Sequence, residues 1–262
     1  MTAATVPTRP SRRRLPDANR WALSLAGIGS ILVLWAIGGS ATRYVPPIGE
    51  VLSELPGFLA SAEVWNAAGV TTLRVLGSLL MAMVLGAAAA AIMRRDWFWG
   101  RVMSSFVGFA IAVPSTVAAL LALYVFRRDP IGVYVVVAFI CFPFVATVLR
   151  EGMRNLDAKV SEMGQAYQIS GTARLRHVVL PQLTPYGFSA MRNEYAHAWK
   201  IVVLAELFIG SSGMGWQFAR AFDRFQLTEV VLWLLVFVAI LLLSEYLVIR
   251  PLERFVLKWR VS

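Results

Sequence analysis

Apolar residues in this chain gather into six long runs, at about 21–40, 68–93, 102–126, 131–149, 185–209 and 229–249. Each is near the length of a helix that crosses a bilayer, roughly 20 residues. The third and fourth runs are separated only by Arg127, Arg128, Asp129 and Pro130, which reads as a tight turn. Between the first two runs, residues 44–65 are mixed in polarity, and Ile48, Val51, Leu52 and Leu55 recur at helical spacing. That spacing predicts a short surface helix. The pattern predicts an all-α membrane protein with six transmembrane helices over residues 21–262, behind a basic tail at 1–20.

Composition supports this class. Of the 262 residues, 58% are hydrophobic and 15% charged, too little polar surface for a soluble fold of this size. The net charge of +10 raises nucleic acid as a partner. The cations, however, sit at the ends of the apolar runs, where they control topology, and no basic patch with interleaved aromatics remains. With both termini inside, cytoplasmic segments hold 17 Lys and Arg and outer segments 5, leaving Arg74, Arg192 and Lys200 in or near the crossings. The bias places both termini in the cytoplasm. Arginines 9 to 20 precede the first run as in a signal peptide, but Trp21 to Gly39 is long for such a segment and no small-x-small site closes it. A retained first crossing is expected.

Small residues and prolines mark packing. Gly86 and Ala87 to Ala91 predict close helix contact, since packing must replace the hydrophobic drive that lipid removes. Gly77, Gly100, Pro114 and Pro143 predict bends or close approaches within the bundle. The lone cysteine, Cys141, reads as a small core residue.

The longest polar stretch, Arg150 to His177, lies between the fourth and fifth runs on the cytoplasmic side. It is long for an idle connection, and reads as a platform that docks a soluble partner. Within it, Glu162-Met163-Gly164 is followed at the appropriate spacing by Val178-Val179-Leu180-Pro181. This resembles the EAA loop of binding-protein-dependent ABC importer permeases, E-A-A, three residues, G, nine residues, I-x-L-P. The run from Arg174 through Arg176, His177 and Pro181, with Ala166-Tyr167, is similar to the subfamily that imports nitrate, sulfonates and taurine. Pro46-Pro47-Ile48-Gly49-Glu50, Thr72-Leu73-Arg74-Val75-Leu76-Gly77, Ala198-Trp199 with Ala205-Glu206, and Gly213-Met214-Gly215 extend the resemblance along nearly the whole chain.

The resemblance implies a type I ABC importer permease (MetI-like) fold in the bacterial inner membrane, with the EAA coupling loop at about 150–184. It also implies two ABC ATPase subunits, a second permease copy or paralogue, and an extracytoplasmic substrate-binding protein as partners. ATP and magnesium belong on the ATPase; this chain is expected to bind no cofactor and not to be an enzyme. It has no G-x-x-x-x-G-K-[ST] phosphate loop and no nucleophile elbow, and its two histidines lack metal-ligating neighbours in sequence. The coupling residues implied are Glu162, Met163, Gly164, Gln168, Gly171, Arg174 and Pro181. One departure stands out: Gln168 occupies the signature glycine position, with Gly171 three residues later. Either Gly171 makes the bend one step on, or the platform docks differently, or the chain pairs with a more standard permease. Pro181 and Pro185 are expected to break the platform from the fifth crossing.

The fifth run carries Arg192, Glu194, His197, Lys200 and Glu206. A charge at mid-bilayer costs about 2.5–3.5 kcal/mol on insertion scales, so these residues need partners or water. Glu194, His197 and Lys200 fall within an arc of about 120° on one helix face. In a structural reading, Lys200 pairs with Glu194, Glu206 or Glu245 and fastens the bundle. In a functional one, Glu194, His197, Lys200 and Glu206 line the path of a small anion. A secondary transporter relaying protons through these groups, or an assembly subunit without a path, are the rival functions.

Overall fold

The computed structural model describes residues 17–256 apart from 43, 95, 96, 128, 158, 161, 164–166 and 168. The chain divides into two compact units, Met1–Ser53 and Glu54–Ser262. In the first, α1 (Asp17–Ala41) leads through a short turn to the start of α2 (Ile48–Ala60). The turn is fastened by the Trp35 indole, whose Nε1–H donates to the Pro46 carbonyl at 3.0 Å. The surface helix expected near Ile48 is α2, and Pro56 lies inside it.

The second unit is built from α3 (Ala62–Met93), α4 (Phe98–Ala112), α5 (Ser115–Phe126) and α6 (Pro130–Arg154). A short α7 (Gly171–Arg174) runs through a π-helical turn, Leu175–Val179, into α8 (Leu180–Phe208). Then come α9 (Met214–Asp223) and α10 (Leu227–Ser244), which passes through a second π turn, Glu245–Ile249, into α11 (Arg250–Val256). Among the described residues every regular element is helical. Three stretches are long and apolar enough to cross a membrane: Ala62–Met93, Pro130–Arg154 and Leu227–Val256. Gly29–Ala41 is a shorter apolar helix.

The run expected as one crossing at 102–126 is instead two helices, α4 and α5, meeting at 98°. The break falls on Val113-Pro114, both extended (φ −71°, ψ 120° and φ −61°, ψ 133°). Proline drives its predecessor out of the helical region, and it cannot donate a backbone hydrogen bond. The pair is a broken span or a re-entrant loop. The following turn uses Arg127 in the left-handed region (φ 47°) as the α5 cap, and the Asp129 carboxylate accepts from the Ile131 N–H at 2.9 Å to cap α6.

The two central helices, α3 and α6, meet through small residues. A Cβ placed on Gly86 would stand 2.6 Å from Val145 Cβ and 3.0 Å from the Phe142 carbonyl oxygen, and one on Gly77 would stand 2.7 Å from the Tyr134 ring. Helix α6 continues this against α8, where Gly152 admits the Tyr186 ring. Trp199, Ala198, Val202 and Cys141 are all fully buried in the resulting core. Gly86→Leu is therefore expected to cost about 1–3 kcal/mol through overpacking. The thermal unfolding midpoint of the detergent-purified protein checks this, and an unchanged midpoint would mean that α3 and α6 do not approach so closely.

Candidate functional site

Among the described residues, the buried charges Arg74, Glu194 and Glu206 lie on α8 or bond to it. The C-terminal end of α8 holds Glu206, which is fully buried. Arg74 from α3 donates through Nη1 to Glu206 Oε1 at 2.7 Å and to the Ser212 carbonyl at 2.6 Å, while its Nη2 donates to Ser212 Oγ at 2.9 Å. Thr71 Oγ1, one turn earlier on α3, donates to Glu206 Oε2 at 2.9 Å and accepts the Met214 N–H at 2.8 Å. The Gly215 N–H completes the set at 2.9 Å from Oε2. Both carboxylate oxygens meet donors, as a buried charge requires. Gly213, at φ +98°, passes so close that any side chain there would collide with the carboxylate. This network ties α3, α8 and the loop before α9 together.

The remaining charges on α8 divide by exposure. Glu194 is buried and its Oε2 lies 3.0 Å from His197 Nδ1. Arg192 pairs with Glu253 at 2.6 Å and reaches Glu245 at 3.9 Å. All three carboxylates that the sequence offers to Lys200 are thus engaged elsewhere. Lys200 is exposed, and no described carboxylate lies within ion-pair distance of it. The 120° arc from Glu194 to Lys200 consequently spans two environments, a buried edge against α6 and an open edge. On the open edge Ser189, Asn193 and Lys200 follow one another at i, i+4 and i+11, all exposed. Beside Lys200 lies a cavity of about 220 Å³ walled by Leu204, Leu207, Phe218, Trp233 and Phe237.

In space, His197 has two further potential ligands beside it. Ligand atoms of Cys141, Glu194 and His197 all lie within 4.8 Å of one another.

In the segment expected to be the platform, Glu162 and Met163 are helical and exposed, whereas Gly164 and Gln168 lie outside the described residues. Gly171 does not make a bend by adopting a left-handed conformation. It is the first residue of α7, behind Ser170, whose Oγ accepts from the Ala173 N–H at 3.3 Å. Arg174 closes that first turn. Pro181 and Pro185 do not break the platform from the following helix, contrary to expectation: the chain stays helical from Gly171 to Phe208. The π turn at Leu175–Val179 precedes Pro181 as the second π turn, Glu245–Ile249, precedes Pro251. Widening the turn where the proline ring would crowd the carbonyl four residues back lets the helix continue. Gln182 Oε1 accepts the Asp157 N–H at 2.9 Å, anchoring the start of the platform on the start of α8.

Residues 82–257 match the family model described as binding-protein-dependent transport system inner membrane component. The chain belongs to this family. It is 27% identical over 99% of its length, and 94% of the relative's, to the putative aliphatic sulfonates transport permease protein SsuC of Bacillus subtilis. To the bicarbonate transport system permease protein CmpB of Synechococcus elongatus it is 23% identical, over 90% of this chain and 89% of that one. Among solved structures, an amino acid ABC transporter superposes with a TM-score of 0.61 at 18% identity, over 78% of this chain and 97% of that one. The MetNI methionine ABC transporter in an inward-facing form does so with a TM-score of 0.59 at 16% identity, over 74% of this chain and 94% of that one. These structural likenesses establish the permease fold.

The family match takes in the platform, α8 and α9, and leaves Thr71 and Arg74 outside it. As a permease, the chain is a membrane transport component of the ABC type. Its elements supply an exposed segment before α8, a buried polar fastening and an open polar edge on α8. Nothing in the linear sequence marks Arg74 or Ser212 as partners of Glu206, at separations of 132 and 6 residues. The one available signal was an arginine inside an apolar run, which must find a counter-charge.

Proposed function

We propose that this permease is the translocating subunit of an ATP-driven importer for a small anion, and that the anion passes along the Ser189–Asn193–Lys200 edge of α8. The observation that carries this reading is Lys200: an exposed cation on α8, the helix this reading takes as the fifth crossing, without a described carboxylate partner and in line with two further polar residues. Facing lipid, such an edge is costly; facing a water-lined path or a second permease across that path, it is not. The apolar wall beside Lys200 suits an anion with a short apolar part, such as a sulfonate, taurine or an organic carboxylate, while nitrate, which has none, would be held by its charge alone. The names of the relatives, aliphatic sulfonates and bicarbonate, belong to the same charge class. Glu206 is set aside from the path, because its carboxylate is consumed by the Arg74 network.

In this reading the permease has six crossings, with both termini cytoplasmic. The segment 150–184 docks on one of two ATPase subunits, which hold ATP and magnesium. A second permease copy or paralogue completes the path, and an extracytoplasmic binding protein delivers the solute. Closure of the ATPases moves the platform, and the unbroken helix from Gly171 to Phe208 carries that movement to the Lys200 edge. Continuity matters because a helix transmits displacement along its axis, whereas a proline break would absorb it.

Mild-detergent purification of the permease, with every co-purifying subunit identified and counted, tests the coupling half. An ATPase in equal ratio, lost when Glu162 to Gly171 is replaced by a Gly/Ser linker, is the expected outcome. Recovery of the folded permease without any ATPase, together with uptake that follows the proton gradient, would favour the secondary-transporter alternative.

A further inference from the structure

The contact between α6 and α8 contains a donor set for which anion transport provides no role. Cys141 lies near the middle of α6, and Glu194 and His197 near the middle of α8. A sulfur, a carboxylate oxygen and an imidazole nitrogen from these three side chains all lie within 4.8 Å of one another. Cys141 is fully buried and Glu194 is 6% exposed. The His197 side chain is 36% exposed and sits one turn from both Asn193 and Lys200, so the cluster opens on that edge. The Phe144 ring stands edge-on to the imidazole at 5.4 Å and holds its orientation.

Glu194 is the anomaly. It is a carboxylate inside an apolar bundle, and no described arginine or lysine pairs with it. Its neighbours, a thiol and an imidazole, carry no permanent positive charge. We propose that Cys141, Glu194 and His197 form a three-ligand site for a divalent transition-metal ion, with zinc as the ion best suited to it. Sulfur, nitrogen and oxygen donors together match zinc, while calcium and magnesium take oxygen donors. Around a tetrahedral zinc the ligand atoms stand roughly 3.3–3.6 Å apart; the three atoms lie within 4.8 Å of one another and the Glu194–His197 pair at 3.0 Å, so small side-chain rotations bring them to that spacing. A thiolate and a carboxylate together neutralise the ion, and the ion supplies the counter-charge that the buried Glu194 lacks. Three protein ligands leave a fourth position open toward the Asn193–Lys200 edge.

Cobalt titration of the purified full-length permease tests the site, using Co²⁺ alone as the probe and Zn²⁺ as competitor. The chain has one cysteine, so a sulfur-to-cobalt charge-transfer band in the near ultraviolet reports Cys141 and nothing else. The expected result is one equivalent of Co²⁺ with that band, displaced by one equivalent of Zn²⁺. Cys141→Ser and Glu194→Gln are each expected to weaken zinc binding more than about 100-fold, since changes to outer-shell groups alone cost 10–100-fold. Saturable cobalt binding without the sulfur band, or zinc stoichiometry that survives Cys141→Ser, would overturn the proposal. So would the absence of tight binding, leaving Glu194 and His197 as a hydrogen-bonded pair beside a buried thiol. Should the variants fold poorly, the band in the unaltered protein decides the matter.

Discussion

Arg74→Ala is expected to destabilise the permease by about 3–5 kcal/mol, the range for removing one partner of a buried ion pair. The reason is what the substitution leaves behind. Glu206 stays fully buried, with Thr71 and the Gly215 N–H as its remaining donors and without its charge partner. The Ser212 carbonyl and hydroxyl lose their donors at the same time, so the loop before α9 loosens from α3. Glu206→Ala is expected to cost a similar amount, because it strands Arg74, and the two changes together should cost much less than their sum. Replacing the pair by Met and Gln removes both charges and should recover most of the loss. Denaturant titration of the four proteins in one detergent supplies the cycle. Additive losses would mean that the pair is not a unit and that the network holds little of the α3–α8 contact.

Lys200→Glu is expected to lower solute uptake about 30-fold or more while leaving expression, ATPase association and unfolding midpoint near their original values. A unit charge about 4 Å from an anion is worth about 4 kcal/mol at an effective dielectric constant of 20. If half of that, about 2 kcal/mol, bears on the rate-limiting passage, the loss is about 30-fold. Lys200→Arg should retain most uptake, and Lys200→Ala should fall between. The exposed position of Lys200 makes a stability effect unexpected. Uptake that persists in Lys200→Ala together with reduced stability would remove the anion-path reading and return Lys200 to a structural role. Uptake in proteoliposomes with defined ATP, rather than in cells, keeps expression from clouding the comparison.

These predictions differ in how far the sequence alone reached. Lys200 was legible as an oddity, since a cation within an apolar run must have either a partner or water. Which of the two applied was not legible, because three carboxylates, Glu194, Glu206 and Glu245, were offered to it. The structure assigns Glu206 to Arg74, Glu194 to His197 and Glu245 to the neighbourhood of Arg192. The path set Glu194, His197, Lys200 and Glu206 therefore separates into a buried fastening, a partly buried cluster with Cys141, and one open cation. In the platform, Glu162 and Met163 are exposed and helical. Pro181 misled: a proline after a leucine at a helix start reads as a break. The π turn before it accommodates the ring locally, as the one before Pro251 does, so the helix continues.

By itself the sequence determined the class and most of the element order. Apolar runs of bilayer length, charges at their ends and small residues at Gly77 and Gly86 are local properties, each fixed by hydropathy or by residue volume. The break at Val113-Pro114 was half visible, since Pro114 announces a bend but not one of 98°. Only the tertiary structure decided which charges meet. Arg74 and Glu206 are 132 residues apart, and Cys141 lies on a different helix from Glu194 and His197. Pairing across such distances depends on the rotation of each helix about its own axis. That rotation is set by the packing of Gly86 against Val145 and Gly152 against Tyr186, contacts that no periodicity in a single segment encodes.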